Sequence, residues 1–370
     1  MQKRANARSQ IIIALLILAL TQFACAQVNS GTPTLSPTVV ATIPVGTVAT
    51  PAPGSLQIYF TAPTAVHATD YEGGPDEVLV TALDQARLTV DVAAYSLNLW
   101  SIRDALINAH KRGVLVRMVM ESDDMDNQEV QQIMDAGIPI IGDQSQGLMH
   151  NKFMVIDRQE VWTGSMNYTT SGVYSDNNNL ICIHSSEVAE DYSTEFEQMF
   201  NYHLFGPDKK ASTPNPKVSI QGTPVEIYFS PEDKPASRIL ELVQGAQTSI
   251  NFLAYSFTST DIGDAIMERA SAGVSVTGVM DHGQLKSTNL TEYEPFQQAG
   301  LDVRLDGNLK GLMHHNVIII DQMIVITGSF DFTAEAETTN DENLVIIFSP
   351  DVAAKYMQEF QRIYDQAQNP

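Results

Sequence analysis

Five short segments of this chain occur twice, in the same order, and this repetition restricts the fold more than any other feature. Leu56-Gln57-Ile58-Tyr59-Phe60 returns as Val225-Glu226-Ile227-Tyr228-Phe229. Val90-Asp91-Val92-Ala93-Ala94-Tyr95-Ser96 returns as Ile250-Asn251-Phe252-Leu253-Ala254-Tyr255-Ser256. Arg112-Gly113-Val114-Leu115-Val116, Gly147-Leu148-Met149-His150 and Thr163-Gly164-Ser165 answer Ala272-Gly273-Val274-Ser275-Val276, Gly311-Leu312-Met313-His314 and Thr327-Gly328-Ser329. Spacings between the segments drift only by loop-sized amounts, so the chain reads as two copies of one unit, 55–206 and 224–370. The Pro-containing polar stretch 207–223 is expected to act as an inter-repeat linker. The 370 residues suffice for two domains with proper cores.

Each unit reads as α/β. Apolar strands over 87–96 and 248–256 lead into helices Trp100–Lys111 and Thr260–Ala272, which end at Gly113 and Gly273. Strands 114–120 and 274–280 and helices Asn127–Ala136 and Leu290–Ala299 follow. Strand pairs then join Lys152–Ile156 to Glu160–Thr163 and Val317–Ile320 to Met323–Thr327, and helices 187–202 and 351–367 close the units. The expected class is α/β, with two tandem pseudo-twofold-related domains, each a mixed sheet flanked by helices.

The N-terminus reads as a targeting segment. Lys3, Arg4 and Arg8 precede the apolar run Ile11–Leu20, which is short for a membrane span. Residues 1–26 are read as a signal peptide, either cleaved after Ala24-Cys25-Ala26 to leave Gln27, or lipidated at Cys25, or retained as an anchor. All three place the domains outside the cytoplasm. Residues 27–54 are Pro- and Thr-rich and uncharged, as expected of a disordered linker. With Cys25 processed, Cys182 has no intrachain partner, and the run Leu180-Ile181-Cys182-Ile183 makes it a buried structural thiol.

The residues that carry chemistry lie within the repeats. His150-Asn151-Lys152 precedes Asp157 and then Gly164-Ser165-Met166-Asn167; His314-His315-Asn316 precedes Asp321 and then Gly328-Ser329-Phe330-Asp331. One H-x-K-x4-D match is weakly specific. Two copies in register, each followed by G-S-x-N or G-S-x-D at one offset, are specific. The pattern resembles the HKD motif of the phospholipase D superfamily, over about residues 55–370.

That resemblance implies two phospholipase D-like domains sharing one active site, a phosphodiester substrate, and neither cofactor nor metal. It implies that His150 attacks phosphorus to form a phosphohistidine, and that His314 acts as general acid and later activates water. Lys152, Ser165, Asn167 and Ser329 become the phosphate-binding set, with Asp157 and Asp321 supporting the motif. Glu342 stands where relatives carry a carboxylate that orients the histidine of the other half, here His150.

Elementary chemistry agrees. An anionic diester attacked in line needs a nucleophile, a proton donor opposite it and fixed positive charge. On a strand, residues two apart share a face, so His150 and Lys152 can point into one cleft, as can Ser165 and Asn167, whereas His315 faces away from His314. Asp157 ends its strand and is expected to orient the turn there.

The second half departs from the pattern. Asn316 replaces a lysine and Asp331 an asparagine, while in the first half Asn178 stands where a carboxylate would orient His314. Lys310 is a candidate for restoring positive charge; otherwise Asp331 is protonated or faces away.

The formal charge of −23 repels polyanions, so phospholipid head groups, with membrane-surface contact, are favoured as substrate over nucleic acid. A secreted endonuclease is the second reading, and a weakly catalytic binding protein, motivated by Asn316 and Asp331, the third. The acidic run Glu121, Asp123, Asp124 and Asp126 lacks a calcium-loop spacing and reads as a solvated loop.

Overall fold

The computed structural model describes residues 55–143, 145–287 and 290–367; the expected signal peptide and the 27–54 linker lie outside them. No helix among the described residues is long and apolar enough to cross a membrane.

The first half builds a seven-stranded sheet from β1 (Leu56–Phe60), β2 (Thr89–Ala94), β3 (Leu115–Met120), β4 (Ile140–Gly142), β5 (Lys152–Ile156), β6 (Glu160–Gly164) and β7 (Asn179–His184), in the order β1-β7-β6-β5-β2-β3-β4. The second builds an eight-stranded sheet from β8 (Lys217–Ile220), β9 (Thr223–Ser230), β10 (Ser249–Ala254), β11 (Ser275–Met280), β12 (Asp302–Leu305), β13 (Asn316–Ile320), β14 (Ile324–Gly328) and β15 (Glu342–Phe348), in the order β12-β11-β10-β13-β14-β15-β9-β8. Read from the opposite edge, β12 through β9 reproduce the first order, so the repeat is topological as well as sequential. Both sheets are mixed: β2, β3 and β4 are parallel, as are β10, β11 and β12, and the remaining pairs are antiparallel.

The eighth strand is β8, which pairs with β9. It comes from the stretch expected to be a linker: just after Pro214 and Pro216, Lys217–Ile220 adds an edge strand to the second sheet.

Strand alternation divides the core. Phe153 and Val155 of β5, with Val317 and Ile319 of β13, face a cluster that includes residues of both sheets and of the closing helices Ser186–Phe200 and Pro350–Gln366. Met154 and Ile156 face a separate cluster under helices Asp76–Gln85 and Trp100–Lys111; Ile318 and Ile320 face its counterpart. The helix Trp100–Lys111 buries Ile102, Ala105, Leu106 and Ala109, one stripe at helical spacing, and Gly113 at φ +94° follows its end. Ile102 and Leu106, both fully buried, each contribute about 1.5–3 kcal/mol. Cys182 is buried in the same layer, where burial and the Glu160 charge push its thiol up.

Candidate active site

His150 and His314 lie just before β5 and β13, at the end of each sheet where β2 and β10 finish. The two halves hold each other there by exchanging backbone bonds. The His150 N–H donates to Asp341 O at 3.0 Å, and the His314 N–H donates to Asn177 O at 2.9 Å. Glycines permit this approach: a Cβ at Gly147 would meet Thr339 O at 2.0 Å, and one at Gly311 would meet Ser175 O at 2.0 Å. A second pair, Gly164 and Gly328, has φ +145° and +149° and leaves no room for a Cβ against Asn179 O or Asn343 O.

Each histidine is approached from its own half by an acid and a tyrosine. Glu121 accepts the Met149 N–H at 2.9 Å, and Asp281 accepts the Met313 N–H at 3.0 Å. Glu121 is therefore buried and occupied in fixing the residue before His150; of the run read as a solvated loop, it is the exception. Tyr95 packs edge-on to His150 at 4.8 Å between ring centroids, and Tyr255 packs on His314 at 4.6 Å.

The orienting partner of each ring comes from the opposite half. His150 Nδ1 lies 2.8 and 3.0 Å from the two carboxylate oxygens of Glu342, at the start of β15. Ser329 Oγ donates to Glu342 Oε2 at 2.6 Å. His314 Nδ1 lies 3.1 Å from Ser165 O and 3.0 Å from Asn178 Oδ1, and Ser165 Oγ donates to Asn178 Oδ1 at 2.8 Å. Both serines are fully buried and each also accepts a backbone N–H, from Asn179 or Asn343. With their protons given to Asn178 and Glu342, these two serines hold the partners of the histidines in place. The buried Oδ1 of Asn167 has no hydrogen-bond partner, and the Nδ2 of this amide is the group that can donate to a phosphate oxygen.

Lys152 Nζ donates to His150 O at 2.8 Å and sits 5.1 Å from the Tyr95 ring centre. Burial lowers its pKa to about 8, against the opposing pull of Glu342 and Asp331. At the matching position Asn316 Nδ2 donates to Asp331 Oδ1 at 2.8 Å. A ring nitrogen of His150 and one oxygen each of Asp331 and Glu342 lie within 4.8 Å of one another, so Asp331 faces the cleft. Burial first, then the Glu342 charge, holds the Asp331 carboxyl above its ordinary range, against His150 and Lys152. Lys310, the candidate replacement cation, is exposed.

His314 has a proton affinity well below that of an ordinary histidine. Burial is the main cause, and the charges of Lys152 and His150 add to it. Its neutral ring donates from Nδ1 to the Ser165 carbonyl oxygen, which leaves a lone pair on Nε2. His315, of opposite parity, is buried between Asn179 and Glu359.

Asp157 and Asp321 are at the far ends of β5 and β13. Asp157 (φ +52°) accepts the N–H groups of Arg87, Leu88 and Thr89; Asp321 (φ +52°) accepts those of Gln247, Thr248 and Ser249. Five strand residues span about 17 Å, so these acids pin the hairpin turns and do not reach the cleft. Among the described residues a second histidine-acid cluster, Asp281, His282 and Asp306, has its carboxylates occupied by backbone N–H groups of Gly283, Gln284, Met313, His282 and Asn308.

Sequence reasoning did not single out Tyr95 and Tyr255, although both stand at the same place in the repeated Ala-Tyr-Ser. Nor did it find Lys209. This lysine of the expected linker is wholly buried, paired with Glu195, with Glu232 at 3.2 Å and with Asp341 at 3.0 Å. Burial opposes its charge, but the three acids hold it well above the ordinary lysine range. Asp341, pushed up to about 6 by burial, is the residue that accepts the His150 N–H and precedes Glu342.

The family model described as cardiolipin synthase, PLD-like domain, matches residues 79–200 and 239–364. The mitochondrial cardiolipin hydrolase of Chlamydomonas reinhardtii is 30% identical over 162 residues, 44% of this chain and 72% of that protein. A phospholipase D of Rickettsia bellii is 31% identical over 176 residues, 46% of this chain and 83% of that protein. The phosphatidylserine synthase of Haemophilus influenzae superposes with a TM-score of 0.62 over 85% of this chain and 89% of that chain, at 13% identity, a likeness of fold. With its two repeats matched in turn and one cleft shared between them, the chain belongs to the phospholipase D superfamily and carries two PLD-like domains.

Proposed function

We propose that this protein is a phospholipase D-type phosphoric diester hydrolase, acting on a phospholipid head group outside the cytoplasm through a phosphohistidine. The observation that carries the reading is the crossed pairing of His150 with Glu342 and of His314 with Ser165 and Asn178. Two imidazoles are thereby fixed at one junction, each steered by the other repeat.

In the first step His314, unprotonated on Nε2 at rest, takes up a proton from solvent as the anionic diester enters; His150 Nε2 attacks phosphorus, the bond to the leaving alcohol breaks, and that proton passes from His314 Nε2 to the leaving oxygen. Glu342 balances the positive charge on the phosphorylated His150 ring. Lys152 and Asn167 hold the phosphoryl oxygens. Neutral His314 then takes a proton from water, which attacks phosphorus and releases His150. Tyr95 and Tyr255 wall the cleft.

Exposed apolar residues near this end support a lipid substrate. Trp100 opens the helix that follows β2, Leu148 lies two residues before His150, and Leu309 lies five before His314. Similarity to proteins named cardiolipin hydrolase and phospholipase D supports it further. The charged start and apolar run of residues 1–26 support export, as either a free or a Cys25-anchored protein.

The test is metal-free hydrolysis of a chromogenic phosphodiester, followed by head-group release from phospholipid vesicles and cleavage of single-stranded DNA. His150→Ala and His314→Ala are expected to lose about 10⁴-fold or more of the activity. Radiolabelled phosphoryl is expected on His150; label on His314 would reverse the two roles. No turnover by the unaltered protein would favour a binding protein, and preferred cleavage of DNA would favour the endonuclease.

A further inference from the structure

Asp331 makes the two ends of the cleft unlike. The matching residue of the first half is the neutral Asn167, and the matching partner of Asn316 is Lys152. The second half has thus lost a cation and gained an acid, yet Asp331 faces inward. It is held by Asn316 and crowded against His150 and Glu342. The groups that act on it are His150 and Lys152 at the start of β5, Glu342 at the start of β15, and Tyr95 and Tyr255 beyond β2 and β10. Lys152 is the ammonium among them. A bound diester brings a further negative charge to a space already bordered by two carboxyl groups.

One of these acids is committed. Glu342 receives Ser329 Oγ and faces His150 Nδ1 through both oxygens. Asp331 has a single bond from a neutral amide and is half-buried. Resting on the phosphodiesterase reading, we propose that Asp331 is a phosphate-binding residue that works in its protonated form. It takes one proton from solvent as the diester enters and donates it, as a carboxylic acid, in a hydrogen bond to a non-bridging phosphate oxygen. Asn316 keeps the other carboxyl oxygen in place. The pair thereby supplies a neutral donor where the first half supplies Asn167, and the second lysine is dispensable.

Such a site binds anions with proton uptake, so affinity falls tenfold per pH unit above the Asp331 titration. Inorganic sulfate, which does not titrate near neutrality, is the probe. Its binding to the unaltered protein, Asp331→Asn and Asn316→Lys is measured by calorimetry in EDTA-treated buffers of different ionisation enthalpy. The unaltered protein is expected to take up about one proton more per sulfate than Asp331→Asn, whose affinity is correspondingly flatter with pH. Asn316→Lys, which neutralises the ionised Asp331 from its own strand, is expected to follow Asp331→Asn and provides the test should that variant not fold. Equal proton uptake in all three proteins overturns the inference and leaves the phosphodiesterase reading standing. Sulfate binding that appears only with an added divalent cation overturns it as well. Failure of the unaltered protein to bind sulfate at any pH overturns both.

Discussion

Removing the ammonium of Lys209 is expected to destabilise the protein in a strongly pH-dependent way. In Lys209→Met the apolar stem remains, but Glu195, Glu232 and Asp341 lose the cation that lies 3.0 Å from Asp341 and 3.2 Å from Glu232. At an effective dielectric of about 20, each such contact is a gross attraction of about 5 kcal/mol. The net cost is smaller, because the stranded carboxylates can protonate. Holding one carboxyl neutral at pH 7, about three units above its unfolded pKa near 4, costs about 4 kcal/mol, which matches the usual penalty for breaking a buried pair. At pH 5 the same reasoning leaves about 1.4 kcal/mol. The sign follows from the direction of the shifts. Asp341, already raised to about 6 by burial, and Glu195, raised further, favour folding when protonated, so stability is lost as pH rises through their folded pKa values. Urea unfolding of Lys209→Met and the unaltered protein at pH 7 and pH 5 checks this. A deficit below about 1 kcal/mol at pH 7, or one that does not shrink at pH 5, would refute the account of the cluster.

Other consequences can be measured directly. Gly147→Ala and Gly311→Ala each drive a Cβ into a carbonyl oxygen of the other half at 2.0 Å, and are expected to reduce activity more than about tenfold while leaving each half's secondary structure intact by circular dichroism. Because Lys152 titrates near 8, anion affinity falls as pH rises through that value; Lys152→Arg is expected to keep its affinity to higher pH, and an unchanged profile would contradict this. The low proton affinity of His314 predicts an unprotonated Nε2 at pH 7 by nitrogen NMR and a turnover that falls with rising pH; a cationic ring at pH 7 would contradict it. Cys182 is expected to resist thiol reagents until the protein unfolds.

Repetition and strand spacing made most of the architecture legible. The helix Trp100–Lys111 and the strand Lys152–Ile156 have the bounds their apolar pattern suggests, because the helix buries one stripe and the strand is buried on both faces. β8 escaped because prolines and polar residues surround it and only Ile220 is buried. Lys209 escaped for the same reason: a lone lysine in a polar stretch carries no local sign that three acids, distant in sequence, will enclose it. The motif spacing placed the histidines and Lys152, but parity could not show that the Ser165 and Ser329 hydroxyls spend their protons on Asn178 and Glu342. Those partners lie 13 residues on within the same repeat, and the backbone partners of Glu121 and Asp281 lie 28 and 32 residues along it, so strand spacing alone marks neither.

The exchange of backbone bonds at His150 and His314 has a consequence for how such a protein can change over time. Each half supplies a histidine but delegates its alignment to the neighbour, so a substitution beside one ring is felt by the other. Glu342 and Asn178 could therefore diverge without either histidine moving, and two once-equivalent imidazoles could take separate duties while the surrounding frame stayed symmetric.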